Sequence, residues 1–217
     1  MHPGKLSIIL LAYQSEKRLE KAVTEIDTSL SAAGIPHEIV IIDDGSTDQS
    51  FAKARELAQR MENISAYSLS RNYTSPMAQF AGLEMCTGQC ACPMPDDGQR
   101  PIAHIIDMYR LWEKGHKIIL GYREGRDDGR VNDFFSNGYY SFMNRFSEIT
   151  FPPGGSDGYL IDREIIDLLN TRISKRNTTP VIELLKLGYG TVFVPYQRPQ
   201  RAAKSRWTLR KQINLAL

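Results

Sequence analysis

Two short acidic runs carry the side chains best suited to chemistry. Asp43-Asp44-Gly45-Ser46-Thr47-Asp48 puts two carboxylates ahead of a glycine turn, and Pro95-Asp96-Asp97-Gly98-Gln99-Arg100-Pro101 repeats the pattern further along the chain. Carboxylates on such a turn can accept hydrogen bonds from a nucleobase or a ribose; the same composition also makes an ordinary capped strand-to-helix turn. The second run suits Mg²⁺ or Mn²⁺, which take oxygen ligands and often share them with substrate phosphates, with a solvated turn as the plain alternative. Cys86, Cys90 and Cys92 have no histidine nearby in sequence, so their spacing does not suit zinc. They read as core residues of a strand, and their odd number fits a reducing compartment better than a disulfide framework. His37, His104 and His116 lack ligand spacing and are expected at the surface or at helix ends.

The elements that must position these runs can be read from periodicity. Leu6–Leu11 is apolar on both faces, as in a buried parallel strand. A helix is expected over about Ser15–Ala33, with Leu19, Val23, Ile26 and Leu30 on one face, stopped at Gly34-Ile35-Pro36. Strands at Glu38–Ile42, Ile64–Leu69, Cys90–Met94 and Lys117–Leu120 alternate with helices from Ser46/Thr47 to Met61, Pro76 to Met85 and Pro101 to Lys114. Such alternation implies right-handed crossovers and a mostly parallel sheet with helices on both faces. Ligands then bind beyond the carboxyl ends of the strands, in the loops after Leu11, Ile42, Leu69, Met94 and Leu120. The second half reads as a helix over 132–146, a strand at Tyr159–Ile161, helices at Arg163–Arg172 and Pro180–Leu187, and a strand at Thr191–Val194.

With 217 residues, 41% hydrophobic and 24% charged, the composition is that of a folded globular chain, not a disordered one. One domain over 1–196 followed by a tail over 197–217 is the expected organisation. The net charge of +2 excludes a nucleic-acid binder driven by bulk charge, yet it conceals an asymmetry. The tail holds six basic residues and no acidic one, leaving 21 basic against 25 acidic residues in 1–196. Leu209, Ile213 and Ala216 would share one face of a basic amphipathic helix that begins near Trp207. Such a helix suits an anionic leaflet, or it packs back on the domain with its arginines on phosphate. No run of about 20 apolar residues is present and Met1–Lys5 does not open a signal peptide, so a cytoplasmic, peripheral protein is expected.

Taken in order, the motifs resemble family 2 glycosyltransferases with the nucleotide-sugar-binding GT-A fold, nearest the dolichyl-phosphate mannosyltransferase and bacterial polyprenyl-phosphate glycosyltransferase branch. The opening strand Ser7–Gln14, the intact Ile41-Ile42-Asp43-Asp44-Gly45-Ser46, Ser70-Arg71-Asn72, Pro95–Pro101, Gly121-Tyr122-Arg123, Leu160–Arg163 and Lys204-Ser205-Arg206-Trp207 follow the family's order over nearly the whole chain. The resemblance implies inverting transfer of a sugar from a nucleotide-diphosphate sugar to a polyprenyl phosphate or another lipid-linked acceptor. It implies a donor site of Ala12, Tyr13, Asp43, Asp44, Arg71, Asp96 and Gln99, with Asp97 on a divalent metal (Mg²⁺ or Mn²⁺). It further implies acceptor and phosphate contacts from Arg123, Arg126, Ser136, Arg201, Ser205 and Arg206, with Asp157 facing the acceptor as base or positioner. Members of this branch often continue into membrane-spanning helices just past this point, so the chain is expected to be a short natural form or a piece that ends ahead of an anchor. Pro95 stands where the family's first metal-loop acid is expected, and Tyr159 where it carries arginine. Transfer to a sugar hydroxyl, and a non-catalytic module of the same fold, are the alternatives.

Overall fold

Seven strands form one sheet in the order β3-β2-β1-β4-β6-β5-β7. The computed structural model describes residues 4–123 and 158–197. The strands are β1 (Leu6–Ala12), β2 (His37–Asp43), β3 (Ile64–Ser68), β4 (Cys90–Pro95), β5 (Ile118–Arg123), β6 (Gly158–Asp162) and β7 (Thr191–Tyr196). The helices are α1 (Leu19–Ala32), α2 (Ser50–Arg60), α3 (Ser75–Met85), α4 (Ile102–Glu113), α5 (Arg163–Thr171) and α6 (Pro180–Lys186). β1 pairs in parallel with β2 and β4, and β2 with β3. β6 runs antiparallel between β4 and β5, and β7 closes the edge parallel to β5.

Alternation along the strands builds two cores. Ile8, Leu10, Ile39 and Ile41 face α1, α2 and α4; Ile9, Val40 and Ile42 face α3, α5 and α6. Both faces are therefore apolar and covered, as the unbroken hydrophobic runs require. The three cysteines are buried and free, which fits their reading as core. Trp112 packs on the first core and donates its indole N–H to Asp162 at 2.7 Å.

Several sequence expectations need correction. α1 begins at Leu19 rather than Ser15, because Arg18 and Leu19 both donate their N–H to the Ser15 carbonyl in a turn that precedes the helix. Ser46 and Thr47 do not cap α2, which starts at Ser50. Their hydroxyls instead accept from the Gln14 backbone N–H at 3.0 Å and the Gln14 side-chain amide at 2.9 Å, tying the β2 loop to the β1 loop. β5 and β7 run on to Arg123 and Tyr196 because they pair with each other to their ends. His104 lies in the first turn of α4, at a helix end as expected, and it is buried there with its ring 4.7 Å from that of Tyr196. The helix expected over 132–146 and the amphipathic tail helix lie outside the described residues.

Candidate functional site

Strands β1, β2 and β3 run one way across the sheet from β1, and β4 lies on its other side, so the strand order reverses between β1 and β4. A crevice opens beyond the strand ends at such a point. Backbone bonds hold the loops there together: Asp44 N–H donates to Ala12 O at 2.9 Å, Leu69 N–H to Asp43 O at 2.8 Å, and Asp96 N–H to Leu11 O at 3.3 Å.

Asp43 is the last residue of β2 and is 1% exposed. Its Oδ2 accepts from Ser68 Oγ at 2.8 Å and Ser46 N–H at 3.2 Å, while its Oδ1 has no hydrogen-bond partner among the described residues. A buried carboxylate oxygen left open costs about 1–3 kcal/mol or more, so it marks a place where a donor is wanted. Asp44 Oδ1 accepts from Tyr73 N–H at 2.8 Å. Burial pushes the Asp44 carboxyl above the usual carboxylate range; the neighbouring Asp43 charge adds to this, and the Tyr73 and Thr74 N–H groups oppose it. Gly45 makes the close approach possible. Its φ is +66°, and a β-carbon there would lie 2.3 Å from the Arg71 carbonyl carbon. Tyr13 is exposed, and the Arg71 guanidinium sits 4.6 Å from the Tyr73 ring centre.

The metal-loop candidates part company. Asp96 is buried and turned inward, its Oδ2 2.9 Å from Arg18 Nε. Burial raises its carboxyl's pKa, with the Ser15 hydroxyl and Arg18 opposing. Asp97 is exposed, and its Oδ1 accepts from Gln99 N–H at 3.0 Å. The Gln99 side-chain oxygen is buried with no partner among the described residues. The described residues contain no cluster of three or more His, Cys, Asp or Glu side chains suited to a metal. Asp97 and the open Gln99 oxygen are donors of the kind that Mg²⁺ or Mn²⁺ takes, whereas Asp96 is engaged by Arg18.

A cavity of about 380 Å³ lies beside these loops, between the ends of β1 and β4 and the start of β6. Leu11, Met94, Arg100, Tyr159, Gln79 and Thr179 line it. Neither Asp43 nor Asp44 does. Arg100 also borders a smaller cavity of about 140 Å³ against α1. Arg100 and Tyr159 were not singled out as site residues by sequence reasoning. The only signal was the place of Arg100 in a strand-end loop, directly after the acidic pair and before Pro101. Arg123 ends β5 and is half-buried. Asp157, Arg126, Ser136, Arg201, Ser205 and Arg206 lie outside the described residues.

One open, buried carboxylate oxygen and a separate cavity lie near the reversal point of a doubly wound α/β sheet, where such sheets take their ligands. The chain belongs to glycosyl transferase family 2, whose model matches residues 7–168. It is 27% identical over 98% of its length to an uncharacterized glycosyltransferase of Synechocystis, of which it covers 67%. It is 29% identical, again over 98%, to a bactoprenol glucosyl transferase of Shigella phage SfX, of which it covers 70%. The chain thus spans about two thirds of the length of the curated relatives it matches. Among solved structures, 90% of the chain superposes on 56% of a mannosyltransferase from Pyrobaculum calidifontis in complex with GDP-Man and Mn²⁺, with a TM-score of 0.62 and 14% identity. It also superposes, over 93% of its length and 72% of the other's, on glucosyl-3-phosphoglycerate synthase from Mycobacterium tuberculosis bound to Mn²⁺, UDP and phosphoglyceric acid, with a TM-score of 0.61 and 16% identity. These likenesses establish the GT-A fold. No helix among the described residues is long and apolar enough to cross a membrane.

Proposed function

We propose that this domain moves a sugar from a nucleotide-diphosphate sugar to a lipid-linked acceptor, a polyprenyl phosphate, with inversion at the anomeric carbon. The observation that carries the reading is the buried, open Oδ1 of Asp43 beside Asp44, at the end of β2. That atom accepts a hydrogen bond from the donor's base or ribose. Asp44 holds the loop of Tyr73, and Tyr13 and Arg71 offer a ring and a cation to the nucleoside. The acceptor class is supported by the relatives named as bactoprenol glucosyl transferases.

In the transfer, an acceptor phosphate oxygen attacks the anomeric carbon, and the bond from that carbon to the diphosphate breaks with its electron pair leaving on the nucleoside diphosphate. Charge therefore grows on the leaving group, where fixed donors lower the barrier most. Asp97 and Gln99 would hold a divalent cation, which supplies Lewis acidity to the diphosphate when bound. A phosphate acceptor is already anionic at neutral pH, so Asp157 positions it more than it deprotonates it. The basic tail would bring the domain to the cytoplasmic face of an anionic membrane, with Arg201, Ser205 and Arg206 near phosphate.

A thermal-shift screen of UDP, GDP, dTDP and CDP and their sugars, with and without Mn²⁺, tests the reading. A nucleotide at about 100 times its dissociation constant stabilises by about 2.7 kcal/mol. For a chain of this size that raises Tm by about 5–10 °C. If no nucleoside diphosphate shifts the transition, the proposal fails.

A further inference from the structure

We infer that Arg18 is a positioning residue for the donor site: it locks the loop after β1 to the loop after β4 and so fixes Asp97 as the carboxylate presented to a divalent cation. The inference rests on the transferase reading for the ligand, and on the structure for the lock.

Arg18 lies just ahead of α1, and its guanidinium reaches two loops at once. Nε donates to Asp96 Oδ2 at 2.9 Å, while Nη2 donates to Tyr13 O at 3.0 Å and to Ser15 Oγ at 2.9 Å. Ser15 Oγ also accepts from Tyr13 N–H at 3.0 Å, so the guanidinium and one hydroxyl hold both backbone polar groups of Tyr13. The β1–β4 ladder ends at Leu11 and Pro95, and the backbone bond just past it, from Asp96 N–H to Leu11 O, is 3.3 Å long. The shorter ion pair is the firmer tie between the two loops. Tyr13 and Asp97 serve the base and diphosphate ends of the same ligand in the transferase reading, so a lock between their loops sets the spacing that the ligand must span.

The two ends of the pair are unlike. The Asp96 side chain is 5% exposed and that of Arg18 is 40% exposed. A buried carboxylate is costly without its cation, whereas an arginine partly in water needs no partner. The pair therefore serves to keep Asp96 turned in. With Asp96 so held, Asp97 is the exposed carboxylate of the turn, its Oδ1 fixed by Gln99 N–H at 3.0 Å. Without the guanidinium, Asp96 gains by turning toward water, and the turn that carries Asp97 and Gln99 moves with it. Groups behind a metal's ligands set their aim, and losing one typically lowers metal affinity about 10- to 100-fold.

The test combines thermal melts with calorimetric titration of the full chain, using the nucleoside diphosphate that binds wild type most tightly, once with Mn²⁺ and once with EDTA. The quantity compared is the gain in affinity that Mn²⁺ confers. Arg18→Met should lower Tm, because it leaves the buried Asp96 carboxylate without its cation, and should cut the Mn²⁺-dependent gain by about 10-fold. The double variant Arg18→Met with Asp96→Leu has no buried charge to compensate, so its Tm should return to near that of wild type. Its Mn²⁺-dependent gain should stay low, because the lock between the loops is still absent. A role limited to stability would not separate the two readouts: the gain would recover together with Tm. A stable double variant with the wild-type gain would overturn the inference, even if Arg18→Met does not fold. A wild type that binds the nucleotide equally with Mn²⁺ and with EDTA would also overturn it, while leaving nucleotide binding in place. A wild type that binds no nucleoside diphosphate refutes the transferase reading itself, and the positioning role falls with it.

Discussion

Asp43 and Asp44 are adjacent in sequence but do different work. Asp43 keeps one oxygen for the fold, through Ser46 and Ser68, and presents the other unpaired. Asp43→Asn preserves the shape and removes the charge, so nucleoside diphosphate affinity should fall about 10-fold or more by calorimetry with little change in Tm. Burial raises the pKa of Asp44, so its charged form lowers stability in return for a charged site. The sign follows from linkage: a raised folded pKa makes the native state bind the proton more tightly than the unfolded chain, so the penalty is present at pH 7 and fades as the pH falls and Asp44 protonates. Asp44→Asn should therefore melt at the same or a higher temperature than wild type at pH 7, with the difference shrinking toward pH 4, and should bind nucleotide less well. A Tm difference that grows on acidification would contradict the burial account. The adjacency of these two acids to a glycine turn was legible in the sequence. Which oxygen is open was not, because that depends on Ser68, which reaches Asp43 from the neighbouring strand.

Strand ends and loop crossings set the next level. Glu38 near the start of β2 accepts from Ser7 Oγ at 2.6 Å, Thr87 Oγ1 at 2.7 Å and Lys5 Nζ at 2.9 Å, joining the entrances of β1, β2 and β4. Burial alone would raise its pKa, but these donors outweigh it and hold the carboxyl down at about 2. A depressed folded pKa stabilises above the unfolded value and is lost as the pH falls through the folded one. Discounted for solvent screening at this half-buried group, about 1–2 kcal/mol present above pH 5 should fade between pH 4.5 and 2. Glu38→Gln should lose most of that at pH 7 and unfold with a weaker dependence on acid, as followed by denaturant melts. Gly45→Ala should cost about 2 kcal/mol or more, because its positive φ and the Arg71 backbone leave no room for a β-carbon, and should weaken nucleotide binding by displacing the 70–74 loop. Sequence periodicity located nearly all of these elements and missed their ends. Ser46 and Thr47 look like caps locally, but the donors they satisfy belong to Gln14, on another loop.

At the scale of the molecule, charge is partitioned between a mildly acidic body and a basic tail. Sedimentation with vesicles containing anionic lipid should pull down the full chain at low salt and release it at about 0.5 M, where the screening length is only a few ångströms. Replacing Arg201, Lys204, Arg206, Arg210 and Lys211 by Gln should abolish the association without lowering nucleotide affinity if membrane attraction is their role. Loss of nucleotide affinity instead would place the tail over the diphosphate.

The sequence by itself determined the strand–helix alternation, the mostly parallel sheet and the acidic loops at the strand ends, because hydrophobic period and turn chemistry are local properties. Tertiary structure decided the rest. Nothing in Gly158–Asp162 states that β6 inserts antiparallel between β4 and β5, since that pairing spans residues far apart in the chain. The same insertion sets Gly158 against Arg100 and brings Tyr159 to the cavity. It also decided that adjacent Asp96 and Asp97 face opposite ways, one onto Arg18 and one to solvent, because the partner of a carboxylate is chosen by packing.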